Sequence, residues 1–187
     1  SEEVTASLYA PTAGIVNPWE LALAFMETAI KNGVRLLLDA AVTGIGKEKD
    51  HYRLRTADGR EVSTRFVINA AGAYADEVSA LAAGKLFSIT PTKGEYFLFD
   101  KSAGETVDRV IFCVPDELGK GVIIAPTVHG NLIVGPDAEP VADKDDTATD
   151  GARLAYVRSR ALQVIPSLPF NDNIRNFAGL RAAAVLQ

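Results

Sequence analysis

The chain has 187 residues, 48% of them hydrophobic and 23% charged, with a net charge of −5. That is ordinary globular material, enough for one large domain or pieces of two. No basic patch interleaved with aromatic residues is present, which argues against a nucleic-acid partner. No apolar run approaches the roughly 20 residues of a membrane span, and no signal peptide opens the chain. The single cysteine, Cys113, in "DRVIFCVP", rules out a disulfide framework and reads as a buried core thiol of a cytoplasmic protein. With its strand-like opening and its final "AAAVLQ", the sequence reads as the interior of a longer protein.

In chain order, "SLYAPTAGIV" reads as a strand and a turn. "NPWELALAFMETAIKNG" carries helix punctuation: Asn17 can cap, Pro18 takes the first helical position, and Glu20 falls where a capping box wants it. Leu21, Ala24, Phe25, Thr28 and Ala29 line one face, and Asn32-Gly33 supplies a left-handed exit. "VRLLLDAAVTGI" predicts a buried strand. "HYRLRTADGREVSTRFVIN" predicts a hairpin, with Asp58-Gly59 suited to a two-residue type I′ turn. The segment "RFVINAAGAYADEVSAL" climbs through apolar residues, narrows to Ala70-Ala71-Gly72 and then turns helical.

From residue 86 onward the texture changes. "SITPTKGEYFLFD", "DRVIFCVP", "GVIIAPTV" and "NLIVGP" read as successive antiparallel strands, the last two joined across His129-Gly130. "DAEPVADKDDTATD" reads as an acidic, solvated loop. In "DGARLAYVRSRALQVI", Leu154, Val157, Ala161 and Val164 form a helical stripe that Pro166 ends. A last strand, "NIRNFAGLRAAAV", reaches Gly179-Leu180-Arg181. Two textures thus coexist: strand–helix alternation over about 16–85 and a mostly antiparallel sheet with a helix over about 86–170.

Motifs of familiar chemistry are few. "GIGKEK" places Lys49 where a dinucleotide fingerprint needs its third glycine, and it precedes a hairpin rather than a helix. "LGKG" lacks the glycine spacing of a phosphate loop. His51 and His129, the only histidines, read as surface residues, and neither metal-ligand spacing nor a Gly-x-Ser-x-Gly nucleophile motif occurs. Two features stand out. Ala70-Ala71-Gly72 has almost no side chain, so a flat or charged ligand could approach its backbone; close helix–strand packing is the alternative use. Arg181 ends an apolar strand, where a guanidinium needs an anion: either a ligand's carboxylate or phosphate, or a protein carboxylate in a structural salt bridge.

The ordered set "APTAGIVNP…NGV…VINAAGAYAD…PTKGEYFLFD…APTVHGNLIVGP…FAGLRA" resembles FAD-dependent oxidoreductases of the D-amino-acid-oxidase superfamily, nearest the glycerol-3-phosphate dehydrogenase and L-2-hydroxyglutarate oxidase branch. The resemblance covers nearly the whole chain. It implies an α+β fold with α/β-type elements: a mixed, largely antiparallel substrate-domain sheet with helices, plus an incomplete portion of an FAD-binding Rossmann-like domain. The FAD-binding domain would take residues 16–85, with 172–187 returning to it, and the substrate-binding domain would take residues 1–15 and 86–171. The family's Gly-x-Gly-x-x-Gly segment is not in this sequence, so the chain alone is expected to hold FAD weakly or not at all.

By the same resemblance, Val42 matches the strand residue at the adenine end of FAD, and Ala70, Ala71 and Gly72 match the strand exit along the adenosine and pyrophosphate. Gly179 matches the strand beside the isoalloxazine. Arg181 would grip the acidic group of a small anionic substrate, and Tyr96 would face the pocket. "GLRA" departs from the proline that many members carry after the arginine, and the alanine form looks nearer the hydroxyglutarate branch than the glycerol 3-phosphate one. The implied reaction is hydride transfer from a hydroxy substrate to flavin; amine or amino-acid oxidation on the same scaffold and a non-catalytic α+β binding module are the alternatives. The implied partners are the small substrate and the remainder of the enzyme's own polypeptide, and membrane-surface association of the full enzyme stays open. No residue of this chain is marked out as the catalytic base.

Overall fold

The computed structural model describes residues 4–113 and 121–186. Val114-Pro115 of the expected strand "DRVIFCVP" and most of "LGKG" lie outside the described residues. Helix α1 spans Pro18–Lys31; strands β1, β2 and β3 span Val42–Lys47, Tyr52–Thr56 and Glu61–Thr64. A 3-10 turn at Gly72–Tyr74 leads into α2, Ala75–Ala83. Strands β4 to β8 follow at Phe87–Ile89, Thr92–Phe99, Ile123–Pro126, Leu132–Gly135 and Glu139–Pro140. Then come α3, Gly151–Val164, β9, Asn173–Arg181, and β10, Ala184–Leu186. The chain divides into two compact units, one of residues 1–25, 93–139 and 146–179, the other of 26–92, 140–145 and 180–187.

The first unit is built on a sheet of order β6-β7-β5-β8, with β9 also paired to β5. Antiparallel pairing sets Phe97 opposite Val134 and Ile124 opposite Val134, so alternation along each strand decides which side chains share a face. Phe97, Phe99, Ile124, Leu132 and Val134 point to one face, where Val157 and Ala161 of α3 complete a buried core. The predicted stripe of α3 is therefore its packing face. Asp150 caps that helix, its carboxylate accepting the N–H groups of Ala152 and Arg153. Burying each such aliphatic or aromatic side chain contributes about 1.5–3 kcal/mol.

The expected acidic loop is largely exposed, as predicted, but it is also anchored at points the sequence did not mark. Asp137 is buried and accepts the Glu95 N–H at 2.7 Å and Arg153 Nε at 2.6 Å. Glu95, fully buried, accepts the Asp150 N–H with both carboxylate oxygens at 3.0 Å. Lys93 reaches Asp146 at 2.8 Å. These partners satisfy charges that strand alternation places on the buried face of β5, where an unpaired ion would be costly.

In the second unit, β1, β2 and β3 form an antiparallel sheet in that order, α2 lies against β1, and β4 pairs with β10. The predicted hairpin forms, but its turn is not the two-residue type I′ one, and its register is shifted by one residue from the pairing that turn would set. Thr56 N–H bonds to Arg60 O, and only Gly59 has a positive φ, +83°, which is a three-residue loop with the glycine in the left-handed position.

Other expectations are overturned. Residues 4–17 form a turn and no strand. Helix α1 has its Asn17 cap, which accepts the Trp19 N–H at 3.0 Å and the Glu20 N–H at 3.3 Å, and its Gly33 exit at φ +91°, yet it buries no residue. In "VRLLLDAAVTGI" only the stretch from Val42 is strand; Leu36, Leu37 and Leu38 are exposed, as are Phe66 and Ile68, and 65–71 pairs with no strand. Local pattern supplied an apolar strand, but burial needs a partner sheet, and none lies among the described residues. Cys113 is half-buried rather than buried, its Sγ 3.6 Å from Val122 O.

Candidate functional site

Why residues 69–76 turn where they do follows from their side chains. Asn69 accepts the Ala71 N–H through Oδ1 at 3.2 Å and donates through Nδ2 to Ala75 O at 2.7 Å. One amide thereby folds the backbone around Ala70-Ala71-Gly72 before α2 begins. Gly72 has φ +57°, and no heavy atom lies within 4 Å of where its Cβ would stand. Its glycine is required by torsion, not by packing, which counts against the helix–strand packing explanation at that position. Ala70 and Gly72 are exposed and Ala71 half-buried, so the ledge is open as well as bare.

The ledge is braced from α2. Asp76 accepts the Ile89 N–H at 2.9 Å and Lys144 Nζ at 2.6 Å, and Lys144 also meets Glu77 at 2.9 Å. Lys144 stands over the Tyr74 ring, 5.2 Å from its centroid. The hydrogen bond from Lys144 lowers the Asp76 carboxyl to about 2, so it is ionised throughout the neutral range. Asp145, hydrogen-bonded to the Tyr74 phenol, pushes that group up. In the same unit a cavity of about 280 Å³ lies between the three-stranded sheet and α2, lined by Ile45, Tyr52, Phe66, Asn69, Val78 and Ala82 among others. Val42 begins β1, half-buried and paired with Thr56.

Arg181 ends β9, exposed, and no hydrogen bond or ion pair engages it among the described residues. The protein carboxylate that would make it a structural ion pair is not found there. Gly179 is exposed and has open space where a Cβ would stand. In the first unit, Tyr96 is half-buried and stacks on Phe177 with ring centroids 5.0 Å apart and planes 10° from parallel. Phe177 was not picked out by sequence reasoning; its position two residues before Gly179 in "FAGLRA" was the available signal. His129, exposed, lies 3.1 Å from the Asn17 amide, and His51 pairs with Glu48 and Asp50. Among the described residues, no group of three His, Cys, Asp or Glu is arranged for a metal ion. No helix there is long and apolar enough to cross a membrane.

The ledge at Ala70-Ala71-Gly72 is open to a ligand's approach and is followed by a helix, and the Arg181 guanidinium at the end of β9 is exposed, with no protein anion on it among the described residues. The profile of the family described as "FAD dependent oxidoreductase" matches residues 1–186, and the chain belongs to that family. It is 42% identical over 182 residues to a glycerol 3-phosphate dehydrogenase of Caloramator mitchellensis, covering 97% of this chain and 38% of that one. It is 29% identical over 134 residues to an L-2-hydroxyglutarate dehydrogenase of Escherichia coli, covering 70% and 32%. The structure of L-alpha-glycerophosphate oxidase from Mycoplasma pneumoniae with FAD bound superposes with a TM-score of 0.74 at 31% identity, covering 88% of this chain and 43% of that one. The chain thus spans well under half the length of these relatives.

Proposed function

We propose that this chain belongs to an FAD-dependent dehydrogenase or oxidase acting on the CH–OH group of a small anionic substrate, glycerol 3-phosphate before a 2-hydroxy acid. The observation that carries the reading is the exposed, unpaired Arg181 at the end of β9. Its planar, permanently charged fork matches a phosphate or carboxylate in two parallel hydrogen bonds. The open ledge at Ala70, Ala71 and Gly72 fits a cofactor that must approach the backbone, with Val42 toward the adenine end and Gly179 toward the isoalloxazine. FAD, when bound, supplies the hydride acceptor.

The work left to the chain's own residues is positioning. Arg181 holds the acidic group, which fixes the carbon to be oxidised relative to the rest of the substrate. Tyr96 walls the pocket and limits what else enters. On this reading residues 16–85 and 172–187 belong with the flavin, residues 1–15 and 86–171 with the substrate, and the enzyme works in the cytoplasm.

The test is made on the complete polypeptide. Purified protein should show flavin absorbance that bleaches without oxygen when glycerol 3-phosphate is added, and less readily with L-2-hydroxyglutarate. Bleaching only with amino acids would move the activity to C–N oxidation; a colourless complete protein would leave a binding module instead.

A further inference from the structure

Tyr96 lies on the face of β5 turned away from α3, and its ring is held on two sides. Because Phe97 pairs with Val134, Tyr96 stands beside Gly135 on β7. Gly135 has φ +140°, and a Cβ built there would lie 2.8 Å from Tyr96 Cδ1, 3.1 Å from Tyr96 Cα and 2.5 Å from Glu95 O. The ring therefore rests against bare glycine backbone, in space that any side chain would fill. On its other side the Phe177 ring of β9 lies nearly parallel at 5.0 Å. An aromatic pair this well aligned has a preferred geometry rather than a mere shared boundary.

The strand beneath is equally fixed. The neighbouring Glu95 N–H is bonded to Asp137, which is itself bonded to Arg153, and the Glu95 carboxylate holds the start of α3 through the Asp150 N–H. A half-exposed tyrosine on an ordinary strand would have a choice of rotamers. Here Gly135 and Phe177 leave it one lane.

We infer that Phe177 and Gly135 are positioning residues that hold Tyr96 as a rigid wall of the substrate pocket and so set the size of substrate admitted. The inference rests on the reading of Tyr96 as a pocket residue. Phe177 acts only through Tyr96. A fixed wall discriminates by the methylene, whereas a mobile ring lets larger substrates in.

The experiment uses the complete, flavin-loaded enzyme with Phe177→Ala, Phe177→Trp, Tyr96→Ala and the Phe177→Ala/Tyr96→Ala double variant. Phe177→Ala should raise KM for the preferred substrate by about threefold to tenfold, the range expected for losing one aromatic pair. It should also narrow the preference for glycerol 3-phosphate over L-2-hydroxyglutarate, with flavin content unchanged, and Phe177→Trp should restore both. The double variant should be no worse than Tyr96→Ala alone, because the two residues act as one unit. Losses that add in the double variant, or a lower Tm with unchanged KM and preference, would overturn the clamp. A separate readout is the fluorine resonance of 3-fluorotyrosine at position 96. It should move and broaden when Phe177 becomes alanine and stay a single sharp line, though shifted, when it becomes tryptophan; no change with Phe177→Ala overturns the clamp directly. If the resonance moves but Tyr96→Ala leaves KM and preference intact, the pocket assignment of Tyr96 is what falls, and the inference falls with it.

Discussion

The two units make different use of similar apolar sequence. In the first, β5, β6 and β7 bury Phe99, Ile124, Leu132 and Val134 completely, and α3 closes over them with Val157 and Ala161. In the second, Leu36, Leu37, Leu38, Phe66 and Ile68 are exposed, the last by 90%. Both stretches are rich in Leu, Ile, Val and Phe, so hydrophobicity does not separate them. What separates them is whether a second layer lies within the described chain. A strand gains from its apolar residues only when another element removes them from water. In the first unit α3 covers these residues; in the second α2 lies against β1, where Ile45 is buried, but nothing among the described residues covers Leu36, Leu37, Leu38 or Ile68.

That contrast is open to attack by mutation. The largest effect should come from Leu132→Ala, which empties a site in the filled core and should cost about 2–5 kcal/mol in chemical denaturation. Ile68→Ala in the same 187-residue chain should change stability by no more than about 0.5 kcal/mol. Equal costs would mean that Ile68 is covered in solution.

Next in size is Arg181→Ala in the complete enzyme. Because no protein group engages Arg181 among the described residues, Tm should be unchanged, while kcat/KM falls by roughly tenfold to a hundredfold for loss of a charged hydrogen-bonding partner. Loss of flavin instead would reassign the residue to the cofactor.

A smaller pair compares two glycines. At Gly104 a Cβ would stand 2.0 Å from Gly130 O, so Gly104→Ala in the filled unit should cost about 1–3 kcal/mol or more through overlap. Gly72→Ala meets no atom and should cost only the torsional penalty of its φ of +57°, about 1–2 kcal/mol. The same variant should weaken FAD retention in the complete enzyme, measured by flavin released on dialysis.

The subtlest test is pH, which acts with opposite sign in the two units. The Asp76 carboxyl, held at about 2 by Lys144, lies below its usual 3.8, so the pair's stabilisation is full above about pH 4. It is lost as pH falls through about 2, and Lys144→Met should move that acid loss upward. Burial pushes the Glu95 carboxyl above its usual 4.5, so its ionisation opposes folding progressively as pH rises beyond 4.5. Glu95→Gln should therefore flatten the Tm–pH profile above that value. A profile identical to that of the unmodified chain would show that Glu95 gains as much from the Asp150 N–H as burial takes away.

Local chemistry set much of this in advance. Asn17 and Gly33 bound α1, Asp150 and Pro166 bound α3, and the alternation in "KGEYFLFD" and "NLIVGP" specifies β5 and β7, because caps and side-chain periods act over a few residues. The ledge at Ala70-Ala71-Gly72 and the strand-end Arg181 were legible for the same reason: each is a short-range feature. Burial was not. Lys93 and Glu95 sit on the buried face of β5 because Asp146 and the Asp150 backbone arrive from more than fifty residues away. Leu36 to Leu38 stay exposed because nothing among the described residues covers them. Likewise only folding sets Phe177 and Gly135 on either side of Tyr96, since a ring is immobilised by neighbours in space and not by neighbours in sequence. The sequence by itself determined the capped ends of α1 and α3 and the apolar faces of β5 and β7; the tertiary structure decided which other apolar stretches become strands and which faces are covered, because pairing and covering are long-range events that no local pattern contains.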